Sequence, residues 1–412
     1  MGYQAPRGTF DLLPGEGHRW SALERAWFAF TLRYGYREVR TPMFEDIDVF
    51  LRSAGETSDI VSKEMYEFVD KGGRKVALKP EGTAPVMRML IERGKLPQGA
   101  PVRCSYATPI FRYGRPGKGR FRQAHQLGLE LVGSGSATAD AEVVEIAYRF
   151  LESLGIQGIS IRLNSIGREA CRRTFEAVVL EHMAGYLESA TEEVRARSQK
   201  NPLGMLDTKD PEMKEALAGL PRILDFLEPE SRDRFAALQA LLDEAGVPYE
   251  VDAEIVRGLD YYTETVFEIT TPKLEGLSLC GGGRYDHLVE QLGGPATPAV
   301  GLGIGIERLF LALEEANPLT PEPPLDVFVV SIGDEASPSV RRLAQELRSQ
   351  GFSAAFDLEF KKAGHQLKLA SRLGARYAAI LGADEVAAGT VALRNLATGE
   401  QVSVDRPGIS EW

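Results

Sequence analysis

The chain has 412 residues, with 48 Lys and Arg against 59 Asp and Glu, for a formal net charge of -11. Its 43% hydrophobic and 26% charged fractions are those of ordinary globular proteins, which excludes disorder or a collagen-like repeat, and at about 100–200 residues per domain the length predicts two or three domains. Three cysteines, Cys104, Cys171 and Cys280, stand far apart with no C-x-x-C pair, which argues against a disulfide framework or zinc knuckle and for a reducing, cytoplasmic setting. The N-terminus lacks the apolar run of a signal peptide. The most apolar stretch, 299–313, is interrupted by Glu307 and Arg308 and is shorter than the roughly 20 residues of a membrane span. No membrane association is expected. The acidic balance argues against a nonspecific nucleic-acid sheath but leaves room for local basic patches, because fields act over about 8–10 Å.

In chain order, Trp20, Leu23, Trp27 and Phe30 fall at helical spacing. Lys79-Pro80-Glu81-Gly82-Thr83 reads as a strand end running into a turn, with a helix over 84–93 that Thr83 is suited to cap. Segments 102–112 and 121–132 look like strands joined by a polar loop short enough for an antiparallel hairpin. Another strand is expected at 159–163, followed by mostly charged helices from 168 to 244, of which 170–230 reads as an inserted helical lobe. Strands at 250–252 and 265–270 and a helix from about 306 to 315 complete an α+β layout built on an antiparallel sheet. Four prolines among residues 317–324 cannot continue a helix or pair within a sheet, so 317–325 reads as a linker after a first domain of 1–316. Beyond it, strands at 326–331, 354–356 and 376–381 alternate with helices at 337–350 and 364–373. That alternation implies a small α/β domain over 326–412 with a largely parallel sheet.

Several of these segments carry chemistry. In the second hairpin strand Gln126, Gly128 and Glu130 share one face while Leu127, Leu129 and Leu131 share the other, so an amide and a carboxylate flank a glycine that leaves room at the backbone. The loop before it places Arg112, Arg115, Lys118, Arg120 and Arg122 within eleven residues without an acid. Guanidinium forks bind phosphate bidentately, so this loop suits a nucleoside triphosphate or a nucleic-acid backbone. Arg257-Gly258-Leu259-Asp260-Tyr261-Tyr262 is a polar cluster that neither a strand nor an amphipathic helix explains. Cys280-Gly281-Gly282-Gly283-Arg284-Tyr285-Asp286 reads as a glycine run ahead of a helix whose N–H groups could meet an anion. Gly301-Leu302-Gly303-Ile304-Gly305 is an alternating glycine strand feeding a helix, with spacing that differs from the dinucleotide fingerprint. One bare face would let a flat ligand lie on the sheet, with Arg308 just beyond.

Taken together, these residues resemble the histidyl-tRNA synthetases, a family of class II aminoacyl-tRNA synthetases. Segment 36–60 resembles the first class II motif, Phe111-Arg112-Tyr113 through Val132 the second, and 299–313 the third. Pro80-Glu81-Gly82-Thr83 and Arg257-Gly258-Leu259-Asp260-Tyr261-Tyr262 resemble segments particular to the histidine-specific members. The resemblance implies a homodimer, formed through the first motif, that activates L-histidine with ATP and Mg2+ to histidyl-adenylate and then esterifies tRNA(His). It implies that Glu81, Thr83 and Gln126 hold the ammonium end of histidine, and that Glu130 and Tyr262 face the imidazole with Tyr261 and Tyr285 nearby. Arg112 would bind the α-phosphate, and Arg308 the far end of ATP over Gly303 and Gly305. Arg257 would stabilise charge developing on the α-phosphate, and Arg115 and Lys118 would grip tRNA phosphates. The last domain resembles the family's anticodon-binding domain. No resident metal site is assigned. Gly117 departs from the family, because many bacterial members carry Gln there to read the acceptor end. The competing expectation is a noncatalytic, histidine-sensing regulatory paralogue of histidine biosynthesis. Such paralogues generally lack both the last domain and the arginine cluster.

Overall fold

Eight strands form the sheet that organises the first of two units, 1–319 and 320–412, in the computed structural model. The structure describes residues 2–54, 60–206, 208, 210–255, 261–274, 276–313 and 322–406. The chain opens with helix α1 (Glu16–Arg33), whose Trp20, Leu23 and Trp27 are buried as their spacing predicts. Strand β1 (Arg37–Glu38), β2 (Phe44–Asp46), helix α2 (Asp48–Ala54), β3 (Tyr66–Val69), β4 (Lys75–Leu78) and α3 (Thr83–Glu92) follow. Strands β2, β4 and β3 make a small antiparallel sheet of their own.

The hairpin strands are β5 (Val102–Phe111) and β6 (Gln123–Val132), paired antiparallel along their whole length. Helix α4 (Ala137–Ser153) and β7 (Ser160–Ser165) come next. A run of helices follows: α5 (Glu169–His182), α6 (Ala184–Ser189), α7 (Glu192–Lys200), α8 (Pro211–Ala216) and α9 (Pro229–Glu244). The unit then adds β8 (Glu250–Val251), β9 (Thr263–Thr270), β10 (Cys280–Arg284), α10 (Leu288–Gln291), β11 (Ala299–Gly305) and α11 (Ile306–Ala312). The large sheet has the order β1-β5-β6-β11-β10-β9-β7-β8. Its six central strands pair antiparallel, and only the two edge strands pair parallel.

Period two in these strands separates the two faces. Leu127, Leu129 and Leu131 of β6 and Val300, Leu302 and Ile304 of β11 are buried in one core, with Phe150 and Leu151 of α4 and Trp27 of α1. Phe235, Leu238 and Leu242 of α9 join the same core. The opposite face of the sheet is therefore left to the polar residues.

The glycine run at 281–283, with Cys280 before it, differs from its expected place. It is the central strand β10 rather than a loop presenting a helix N-terminus, and α10 behind it has only four residues. Glycine is required there for space, because a Cβ on Gly282 would collide with the carbonyl of Gly301 and the ring of Phe267. Arg284 at its end is fully buried and pairs with equally buried Asp140 of α4 at 2.5 Å. The Arg284 Nη1 also donates to Asp286 and to the Ser134 carbonyl, both at 2.9 Å.

The second unit contains β12 (Val327–Ser331), α12 (Ser337–Ser349), β13 (Ala354–Phe356), α13 (Ala363–Arg372), β14 (Tyr377–Leu381), α14 (Ala383–Ala388), β15 (Thr390–Asn395) and β16 (Gln401–Asp405). Its order is β13-β12-β14-β15-β16. All five residues of β12 are buried, as in a parallel strand covered on both faces. The sheet is less parallel than expected: β15 and β16 extend it as an antiparallel hairpin. Residues 322–325 carry no secondary structure, and the rest of the expected linker lies outside the described residues.

Candidate active site

The polar face of the large sheet opens into a cleft of about 520 Å³. Glu81 reaches it from the turn before α3, Thr83 from the first position of α3, Gln126 from β6, and Gly303 and Gly305 from β11. Tyr261 and Tyr262 line it from just ahead of β9, and Tyr285 from just after β10. Arg112, Arg115 and Arg120 enter from the β5–β6 loop and Arg308 from α11. Residues separated by more than two hundred positions thus converge on one surface. Lys118 is exposed and is not part of the lining. Arg257 lies outside the described residues.

Thr83 is not the helix cap that its position suggested. It is the first residue of α3, and the Glu81 carboxylate does the capping, accepting from the backbone N–H of Thr83 at 2.6 Å and of Ala84 at 2.8 Å. This satisfies two of the helix's orphan donors and frees the Thr83 hydroxyl. That hydroxyl donates to Glu130 Oε1 at 2.9 Å.

Glu130 is fully buried and sits one layer beneath the cleft lining. Besides Thr83, it accepts from the Tyr106 hydroxyl at 2.8 Å and from the Tyr285 hydroxyl. Burial pushes its carboxyl up to about 8, while the three hydroxyls pull the other way and Glu81 adds to the rise. Burial also raises Glu81 above the usual carboxylate range, against the two N–H donors. The hydroxyls of Tyr106, Tyr261 and Tyr285 are held well above their ordinary range, chiefly by burial, and so remain donors. The rings of Tyr261, Tyr262 and Tyr285 pack together with centroids 4.8–6.3 Å apart. Gln126 contributes a different feature: its Oε1 is buried without a hydrogen-bond partner.

The bare glycine faces are already partly filled. Space beside Gly128 is taken by the Tyr106 ring, beside Gly301 by the Glu130 carboxylate and Tyr285 hydroxyl, and beside Gly303 by the Gln126 amide. These glycines seat neighbouring side chains, where an open shelf for a ligand was expected. Gly305 has only the Arg308 stem nearby.

The arginines are held by backbone carbonyls. Arg112 Nε donates to Pro80 O at 2.8 Å, which ties the basic loop to the Glu81 turn. Arg308 Nε donates to Gly119 O at 3.0 Å and its Nη1 to Ser278 O at 2.5 Å. The loop closes through a two-way bridge between Gly117 and Arg120, and Arg122 lies 3.9 Å over the Tyr113 ring. Guanidinium groups suit phosphate oxygens, so the four arginines that line the cleft give it the charge of an anion site.

Sequence reasoning missed four side chains. Tyr106 gave no signal because polar and apolar residues do not alternate cleanly along β5. His125 and Glu307 line the cleft and pair with each other, Nδ1 to Oε1 at 2.9 Å. Glu268 of β9 lines it as well. Among the described residues no three His, Cys, Asp or Glu side chains converge to hold a metal ion.

Comparisons with known proteins point to one family. Residues 8–309 match the family model for histidyl-tRNA synthetase, and 326–412 match an anticodon-binding domain. A histidine–tRNA ligase of Clostridium perfringens is 42% identical over 406 residues, covering 98% of this chain and 97% of the relative. That of Lactiplantibacillus plantarum is 43% identical over 412 residues, covering 98% and 96%. The apo crystal structure of S. aureus histidyl-tRNA synthetase aligns with a TM-score of 0.84 at 35% identity, covering 100% of this chain and 99% of that one.

Proposed function

Because the chain belongs to the histidyl-tRNA synthetase family, and is thereby an ATP-dependent histidine–tRNA ligase, we propose the following division of labour in its cleft. The ammonium group of histidine binds the Glu81 carboxylate, the Thr83 hydroxyl and Gln126 Oε1, which would otherwise stay buried without a partner. The imidazole lies between Glu130 and the Tyr262 hydroxyl, against Tyr261 and Tyr285. A site that hydrogen-bonds both edges of a polar ring rejects an apolar ring, because its own groups would then be left unpaired, and such selection reaches roughly 10⁴–10⁵.

ATP enters as its Mg2+ complex, with the metal travelling on the triphosphate. It lies along Gly305 and over the Gln126 amide that fills the space at Gly303, its far end on Arg308 and its α-phosphate on Arg112. The histidine carboxylate attacks the α-phosphorus, the bond to the bridging oxygen of the β-phosphate breaks, and pyrophosphate leaves. Arg112 and Arg257 offset the charge that grows on the α-phosphate, as preorganised donors do. A terminal hydroxyl of the tRNA then attacks the aminoacyl carbonyl and AMP leaves. Arg115 and Lys118 hold phosphates of the acceptor end, and the second unit takes the anticodon end. The enzyme works in the cytoplasm as a homodimer joined through segment 36–60, where Met43 and Phe44 are exposed.

The observation that carries this reading is the meeting, in one cleft, of buried acceptors suited to an ammonium group and four arginines suited to a polyphosphate. Pyrophosphate exchange into ATP tests it. Exchange should require histidine and fail with the other amino acids. Folded protein that exchanges without histidine, or never exchanges, would remove the proposal.

A further inference from the structure

The strand β5 residue Tyr106 has no part in the division of labour above, yet three features single it out. Its ring fills a slot with no room for a Cβ on either Gly82 or Gly128, so two glycines from separate segments make way for one side chain. In the hairpin register it stands opposite Gly128, and its hydroxyl reaches diagonally to Glu130, two residues on. Glu130 Oε1 then accepts from both Tyr106 and Thr83, whereas Oε2 accepts from Tyr285.

A carboxylate offers about four acceptor positions. Among the described residues three hydroxyls fill three of them, and the filling is uneven. Oε1 is saturated, and the open position is on Oε2. A ring filler alone would need only a phenyl group. The hydroxyl adds something a phenyl group cannot: it occupies one of the two Oε1 positions and donates to the ionised form.

We propose that Tyr106 is a positioning residue for histidine selection, its hydroxyl fixing the Glu130 carboxylate so that a single acceptor position, on Oε2, is left for an imidazole N–H. This rests on the assignment of Glu130 to the imidazole. The groups facing Glu130 are Glu81 from the turn before α3, Thr83 from the start of α3, Tyr106 and Cys104 from β5, and Tyr261 and Tyr285 from the far side. Each donor removed from this set favours the protonated carboxyl, which cannot accept an imidazole N–H at the open position.

The test is histidine-dependent pyrophosphate exchange by the full chain as a function of pH, with Tyr106→Phe compared to the parent so that the titration of histidine itself cancels. Loss of a hydrogen bond to a charged group predicts a KM for histidine about tenfold to a hundredfold higher. At saturating histidine and ATP, kcat should stay within about threefold, because the hydroxyl touches no reacting atom. The acid limb of kcat/KM for histidine should move to higher pH. A second variant carries 3-fluorotyrosine at position 106, which keeps the ring and strengthens the donor. Its acid limb should move to lower pH, and this reading stands even if Tyr106→Phe fails to fold. An unchanged KM, or a raised KM with the acid limb fixed in both variants, would reduce Tyr106 to packing and overturn the proposal. If the parent itself shows no exchange with histidine, the ligase assignment fails, and this inference goes with it.

Discussion

Glu130 shows how one side chain couples selection to stability. Its carboxyl is pushed up to about 8 in the folded protein, against an ordinary glutamate near 4.3. Between those two values the folded form keeps a proton that the unfolded chain releases, so stability falls as pH rises through this window. Glu130→Gln removes the titration. Relative to the parent, it should melt higher at pH 8 than at pH 5, even while its histidine affinity drops. Calorimetric melts at the two pH values check this, and a constant difference would mean that Glu130 does not titrate in the interval. Arg257 makes a separate demand. If it acts where charge develops, Arg257→Ala should lower the activation rate by about 10²–10³ while histidine binding changes little. Single-turnover adenylate formation set beside equilibrium histidine binding separates the two effects, and equal losses in both would contradict the role. At this scale the sequence was partly legible. The strict alternation from Gln126 to Leu131 exposed Glu130, because one strand face had to be apolar. Tyr106 was hidden because Val102–Phe111 has no such alternation: buried residues occur on both of its faces.

Among the elements, glycine was the hardest residue to read, because its meaning lies in what approaches it. The glycine run at 281–283 read as the lead-in to a helix, yet it lies in a central strand whose neighbours come too close for a Cβ on Gly282 or Gly283. The end of that strand carries the buried Arg284–Asp140 pair, which fastens β10 to α4 beneath the site. Thr265 donates a further hydrogen bond to Asp140 at 3.0 Å, which fastens β9 to the same point. Neither charge was legible, since pairing between positions 140 and 284 depends on the sheet being assembled first. Removing Arg284 leaves the buried Asp140 carboxylate with the Thr265 hydroxyl and one more distant cation, Arg234 Nη2 at 3.3 Å. Arg284→Met should therefore cost about 3 kcal/mol, the low end for a broken buried pair, read as a lower urea midpoint at unchanged slope. A cost below about 1 kcal/mol would mean that the aspartate finds water or a proton, and that the pair is not what ties the strand to the helix.

Over the whole molecule, the two units each have a separate core. Val329, Leu343 and Leu393 belong to the second, and Leu129, Phe150 and Val300 to the first. The alternation of strands and helices after the prolines made the parallel part of the second unit legible. Its last hairpin was not, because β16 is an edge strand with four of five residues exposed and so offers no buried face to set a period. Every described residue that lines the cleft comes from the first unit, whereas the match to an anticodon-binding domain covers 326–412. Deleting 326–412 should then leave histidine-dependent pyrophosphate exchange within about tenfold of the full chain, because no cleft residue and no member of the first core is lost. Charging of tRNA should fall much further, since the anticodon end would have no protein surface to meet and only the phosphate grip of the β5–β6 loop would remain. Parallel assays of exchange and charging on the same truncated preparation decide the matter. Equal losses in both would mean that the second unit supports the fold of the first, whereas charging that survives intact would mean that tRNA is recognised entirely by the catalytic unit.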